Sequence, residues 1–145
     1  MAYRALKINS VIDCIDPQDP DKDNPTIWKL GILDSMIKAE LDDEVTVFES
    51  NQSKGDQDNT RARTELKINQ AKLQYVRFGL KGFENYLDPE TDKPVVFDTT
   101  SVARGGKNYN VVSDKIMRAI PSDLLARLAD KIKKLNEMTE QERKN

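Results

Sequence analysis

Three stretches carry residue types that support chemistry in other settings. The first is Asp16-Pro-Gln-Asp-Pro-Asp-Lys-Asp-Asn-Pro25, in which Asp19, Asp21 and Asp23 alternate like the first ligands of a calcium loop. Such a loop also needs glycine at its sixth position and a bidentate glutamate at its twelfth. Asn24 and Leu30 stand there instead, so three prolines and four aspartates read as a stiff, extended loop. The second is Gly105-Gly106 between Arg104 and Lys107, a pair of amides with basic neighbours that would suit a phosphate. A bare Gly-Gly is weak ground for that, and the same pair supplies the two positive-φ residues of a type I′ hairpin turn. The third is Cys14. Its neighbours alternate in hydrophobicity and place it on an apolar face, which favours an inert buried thiol over a reactive one.

Histidine is absent from all 145 residues. That removes the usual general base at neutral pH and the commonest ligand of transition metals. A Ser-His-Asp or Cys-His device cannot be assembled from this chain. No P-loop, dinucleotide fingerprint, zinc spacing or nucleophile elbow appears. The carboxylates cluster in turns rather than in pairs. The expectation is therefore no catalytic residue, no metal and no cofactor, with a carboxylate-dependent hydrolase kept as a distant alternative.

The elements that would position any site are predicted by hydrophobic spacing. In residues 4–15, Leu6, Ile8, Ile12 and Cys14 share one face and Lys7, Asn9 and Asp13 the other, which predicts a half-buried strand. Residues 26–33 predict a second strand with Trp28, Leu30 and Ile32 inward. Asp34 caps a short helix over 35–41, which the acidic run 40–44 ends, and residues 45–49 alternate as a third strand. Residues 51–60 read as a polar loop, with Thr60 as the cap of a central helix. Leu66, Leu73, Val76, Leu80 and Phe83 form the single helical stripe of that helix, interrupted at Asn69. Gly79 and Gly82 are poor inside a helix and fit a C-terminal cap or a tight approach to another backbone.

Residues 94–112 predict a hairpin whose first strand begins at Val95-Val96-Phe97. The Gly105-Gly106 turn sets Val102 opposite Tyr109 and Thr100 opposite Val111. Ser113 caps a short helix over 114–119. Ser122 caps a long one with an apolar stripe of Leu124, Leu125, Leu128, Ala129, Ile132, Leu135 and Met138. Thr139-Glu-Gln-Glu142 is a capping box for a last turn. No linker or repeat divides the chain. The reading is a single α+β domain over 1–145, with antiparallel strands and a hairpin packed against a central helix and a C-terminal amphipathic helix.

Composition bounds the rest. Charged residues make up 33% of the chain and hydrophobic residues 37%, so a modest core lies beneath a well-solvated surface. No apolar run approaches the length of a membrane span, and the start carries no signal-peptide pattern. A single cysteine cannot form an intrachain disulfide, which suits a reducing cytoplasm. Residues 1–60 hold six basic against 13 acidic side chains, a net of −7, and residues 61–145 hold 17 against 12, a net of +5. This polarity favours oriented association over nucleic-acid binding. The basic residues of the last helix alternate with acids and make no nucleic-acid stripe.

Half of the eight Phe and Tyr residues lie in residues 75–86. Val76-Arg-Phe-Gly-Leu-Lys-Gly-Phe-Glu-Asn-Tyr86 is succeeded by an Asp-containing turn, Leu87-Asp88-Pro89-Glu90, and then by Pro94-Val-Val-Phe97. A small helix, Ile120-Pro121, a long helix and Leu135-Asn-Glu-Met-Thr-Glu-Gln-Glu-Arg-Lys-Asn145 complete the order. This order resembles the small morphogenesis proteins of tailed bacteriophages, especially their tail-assembly chaperones, and Pro25-Thr-Ile-Trp-Lys-Leu-Gly-Ile-Leu-Asp34 looks like their first hydrophobic strand. The likeness covers residues 25–145. The Gly105-Gly106 hairpin and the acidic proline loop depart from it and suit a permanent head-tail connector, neck or tail component of the virion as well.

The resemblance implies a helper that binds the tape-measure protein and brings tail-tube subunits to it, while the opposite charge of the two halves would let copies of the chain line up as a homo-oligomer. It implies the host cytoplasm during assembly, or the virion itself under the structural alternative. Neither nucleic acid nor membrane is an expected partner. Phe78, Phe83 and Tyr86 are the residues expected near a protein partner, with ordinary core packing as the competing reading for Phe78 and Phe83.

Overall fold

A computed structural model describes residues 10–52 and 72–137. The predicted strand residues 4–9, the loop over 53–60, the Thr60 cap, the start of the central helix, Met138 and the 139–142 capping box lie outside the described residues.

The architecture is α+β, as the sequence pattern indicates. Strands β1 (Val11–Ile15), β2 (Ile27–Gly31) and β3 (Leu80–Glu84) form an antiparallel sheet in the order β1-β2-β3. Strands β4 (Thr99–Arg104) and β5 (Lys107–Val112) form a separate hairpin. Helices α1 (Ser35–Gln52), α2 (residues 72–79), α3 (Asp114–Ala119) and α4 (Ser122–Glu137) complete it. β2 is central and buries Trp28 and Leu30, while Ile12 and Cys14 pack from β1 on the same face. Burial raises the pKa of the Cys14 thiol, as befits a structural cysteine. On the other face Lys29 reaches Asp13 at 3.2 Å and Glu84 at 3.5 Å, so one cation ties all three strands together at the solvent side.

The core is one cluster. Trp28, Leu30 and Leu80 come from the sheet, Ile37 and Leu41 from α1, and Tyr75, Val76 and Phe78 from α2. Val111 and Val112 come from β5, Ile116 from α3, and Leu125, Leu128, Ala129, Ile132 and Leu135 from α4. The α4 stripe thus faces inward as its spacing demands, with Leu124 half-buried at its margin. Asn136 locks α4 to the end of β2. Its Oδ1 accepts from the Leu33 amide at 2.7 Å, and its Nδ2 donates to the Ile132 carbonyl at 2.8 Å and the Gly31 carbonyl at 3.4 Å.

Three predicted elements differ. Residues 45–49 are not a strand, because α1 runs on from its Asp34 cap to Gln52. Ile37, Leu41, Val45 and Phe48 step by four, four and three, so the stretch that alternates like a strand also satisfies a helical period. The central helix ends at Gly79, and Leu80–Glu84 becomes the third strand of the sheet. The hairpin begins at Thr99 rather than at Val95. Pro94 lacks the amide a strand ladder needs, and this stretch instead meets the 86–87 turn through a Leu87–Pro94 bridge and a 2.7 Å bond from the Val95 amide to the Tyr86 carbonyl. The rest of the hairpin reading holds. Val102 faces Tyr109, Thr100 faces Val111, and Gly105 and Gly106 take φ of 57° and 79°. Ser113 caps α3 through the Ile116 amide at 3.4 Å. Ser122 is the first residue of α4 rather than its cap.

Asp16 anchors the proline loop. Its carboxylate is 7% exposed and takes three contacts from Arg127 of α4, the shortest 2.9 Å. The guanidinium, with the Gln18 amide helping against burial, holds the Asp16 carboxyl below its ordinary pKa. A depressed carboxylate contributes stability that is present above its unfolded pKa and lost as pH falls through the folded one. Arg127→Met is therefore expected to lower Tm at neutral pH, modestly because Arg127 is partly solvated. The gap in Tm between variant and wild type should narrow once pH drops below about 4. A gap that stays constant down to the acid transition would rule out Asp16 as the group concerned.

Candidate functional site

The residues singled out from the sequence fall in two different places. Phe83 and Tyr86 meet Trp28 and Phe97 in an aromatic group at the end of the sheet. Trp28 lies 5.7 Å from Phe83 and 5.0 Å from Tyr86, Phe83 lies 5.2 Å from Tyr86 and 5.3 Å from Phe97, and most of the pairs are edge-on. This geometry suits the ring quadrupoles. Trp28 is buried, whereas Phe83 and Tyr86 are only half-buried. The Tyr86 hydroxyl donates to the Ala119 carbonyl at 2.8 Å, which fixes the ring against the end of α3.

Phe78 does not join them. It is 3% exposed, lies edge-on to Tyr109 at 5.7 Å, and carries the Arg104 guanidinium 5.7 Å above its ring. A ring so placed offers a partner no surface, in keeping with the core-packing reading given beside the contact role for Phe78. The helical stripe includes Phe83 and leaves Phe78 off it, the reverse of the burial found, because Phe83 lies in a strand rather than in the helix.

What the sequence reading missed is next to the aromatic group. Leu87 and Val96 are 43% and 82% exposed. The Leu87–Pro94 bridge and the Val95–Tyr86 bond bring their segments together. Residues 83–97 thus hold both half-exposed aromatic rings packed against the core and, at Leu87 and Val96, aliphatic side chains turned to solvent. The turn holding them is built firmly. Asp88 accepts from the Glu90 and Thr91 amides at 2.8 and 3.2 Å, Asp92 sits at φ 57° and Asn85 at φ 59°. Asn85 also donates to the Asn24 carbonyl at 2.6 Å, and its own carbonyl accepts from Thr26 at 2.9 Å, which ties the turn to the proline loop.

A cleft of about 450 Å³ opens between the start of α1, β3 and the hairpin. Val11, Phe78 and Phe97 line it together with Asp34, Lys81, Lys107 and Tyr109. Asp34 accepts from the Ile37 amide at 2.9 Å and the Tyr109 hydroxyl at 2.7 Å, with Lys107 Nζ at 3.8 Å. Burial would raise its pKa, but these donors outweigh it and hold the carboxyl below its ordinary value. The same hydrogen bond, with burial beside it, pushes Tyr109 up to about 12. At neutral pH Asp34 is thus an anion with its donors in place, and Tyr109 a neutral phenol. Neither is poised as a general acid–base pair, for which a group titrating near the working pH is best suited.

In the proline loop the aspartates serve the backbone. Asp19 accepts from the Asp21 and Thr26 amides at 2.9 Å each, and Asp21 from the Asp23 and Asn24 amides at 3.2 and 3.0 Å. The charge polarity along the chain is partly neutralised within it, through Asp16–Arg127, Glu40–Arg104 at 3.2 Å and Asp34–Lys107. Each pair joins an acid of the first sixty residues to a base of the remainder. Among the described residues no helix is long and apolar enough to cross a membrane. No known family, curated protein or solved structure matches the chain.

Proposed function

We propose that the chain is a morphogenesis protein of a tailed bacteriophage, most closely a tail-assembly chaperone that binds the tape-measure and tail-tube proteins in the host cytoplasm. The observation that supports this reading is the exposure of Leu87 and Val96 within residues 83–97. That sequence is the stretch that resembles those chaperones, and Leu87 and Val96 stand out into solvent beside half-buried rings. Exposed aliphatic side chains on a turn held firmly by its own hydrogen bonds suit a protein contact. The surface binds without reacting, and the chain acts by holding a partner rather than by turning over a substrate.

A second reading is a permanent head-tail connector, neck or tail component. The loop over 16–25 and the hairpin favour it, since each departs from the chaperone pattern and each is fastened to the body, by Asp16–Arg127 and Glu40–Arg104. Mass spectrometry of purified particles separates the two. The chaperone reading expects the protein in infected-cell lysate and its absence from particles. Copies at structural stoichiometry would retire the chaperone in favour of the component.

A further inference from the structure

We propose that the cleft between α1, β3 and the hairpin is the seat for a carboxylate side chain of a partner polypeptide, paired with Lys81. The proposal rests on the reading of the chain as a partner-binding protein, and it adds the chemistry of the segment that binds. Lys81 is held in place by the sheet. Its stem crosses Gly31 so closely that a Cβ at that position would lie 2.6 Å from Lys81 Cε. The bulge in the β2–β3 register is what brings it there, because Lys29 pairs with Gly82 and Leu30 with Leu80, leaving Lys81 unpaired on the strand between them.

Among the described residues the Lys81 ammonium has no hydrogen bond or ion pair, although it lines a cleft that contains Asp34. Asp34 already has the Tyr109 hydroxyl and the Ile37 amide, with Lys107 as its nearest cation. Two ammonium groups therefore face one satisfied carboxylate, and the cleft holds an excess of positive charge over an apolar floor of Val11, Phe78 and Phe97. A glutamate or aspartate beside an apolar residue complements both features. Lys81 is exposed overall, and partial burial of the side chain lowers its pKa against the opposing pull of Asp34. Phe97 also belongs to the aromatic group, so the cleft is continuous with the surface over residues 83–97.

The test is fluorescence anisotropy of the full chain with a labelled short peptide of alternating leucine and glutamate, against its leucine–glutamine counterpart. The glutamate peptide is expected to bind roughly fivefold tighter or more at low salt, with the advantage shrinking as salt rises. Lys81→Met keeps the stem over Gly31 and should abolish the preference. Lys81→Arg should retain it, and Lys115→Met on α3 should leave it unchanged. Lys81→Gln replaces the Met variant if that one melts early. Equal binding of the two peptides, no saturable binding, or a preference that survives the loss of Lys81 overturns the proposal. So does Lys81-dependent self-association without peptide binding, which would make a second copy the occupant. Each of these leaves the phage reading standing, whereas a peptide preference without capture of a tape-measure protein removes that reading alone.

Discussion

Trp28→Ala is expected to cost about 3–5 kcal/mol, most of the stability of a domain that totals about 5–15. Trp28 lies near the start of the middle strand, 1% exposed, paired across to Cys14 on one side and Phe83 on the other. Its ring carries the contacts of Phe83 and Tyr86, so truncation opens a cavity and leaves two half-buried rings without their inner support. Neighbours collapse only partly into such a space, because each is fixed elsewhere, Tyr86 by its bond to Ala119. Urea unfolding monitored by circular dichroism measures the loss, since the variant has no tryptophan left to report. Trp28→Phe should recover part of it. A cost below about 1 kcal/mol would mean that the sheet end is not organised on this residue.

Gly79→Ala is the second large effect, and it runs against helix propensity. Alanine should favour a helix by about 1 kcal/mol over glycine. Here, however, the new Cβ would sit 2.6 Å from Ile132 Cγ2 and 3.2 Å from Ile132 Cδ1. Ile132 is fully buried on α4 and packs within the core, so it has little room to yield. Overpacking of this kind costs about 1–3 kcal/mol, and the net result is expected to be destabilising. A double-mutant cycle isolates the cause. Gly79→Ala combined with Ile132→Ala, which removes every atom in the clash, should be less destabilised than the two single variants added together. Strict additivity would place the cost of Gly79→Ala elsewhere.

These residues show what could be read from the chain and what could not. The period-two stretches around Ile12 and Trp28, the Gly105-Gly106 register, the Asp34 and Ser113 caps and the α4 stripe are local patterns, and the fold keeps them. The errors arise where one pattern satisfies two periods. Val45 and Phe48 belong to a helical spacing and an alternating one at once, and the propagation of α1 from its cap decides between them. Leu80 and Phe83 continue the stripe of the helix before them, yet the open side of β2 takes them as a third strand, a choice made by tertiary pairing. Gly79 marks that change of element. Its partner is the Ile132 side chain rather than a backbone, which no local signal could name.

The candidate site divides in the same way. The residues 75–86 stand out by composition, but their helical spacing points the wrong way: it puts Phe83 inward and leaves out Phe78, which is buried against Tyr109, while Phe83 and Tyr86 border solvent. Leu87 and Val96 are single apolar residues in turn-rich sequence, and only the Leu87–Pro94 pairing brings their segments together. The Asp34–Tyr109 hydrogen bond spans 75 residues and has no sequence signature at all.

The most direct test of the chaperone assignment is capture of a tape-measure protein by the Leu87→Asp, Val96→Asp double variant. Both positions are solvent-exposed, so the variant should melt within about 0.5 kcal/mol per site of wild type. Purified chain is immobilised and presented with a tape-measure protein encoded by the genome that carries the chain, which the proposed reading requires to exist, and retained protein is quantified by dilution series. Wild type is expected to bind, and the double variant to bind at least about tenfold more weakly with its melting curve unchanged. Retention by the variant equal to that of wild type would contradict the assignment of the surface, and no retention by wild type would contradict the chaperone reading itself.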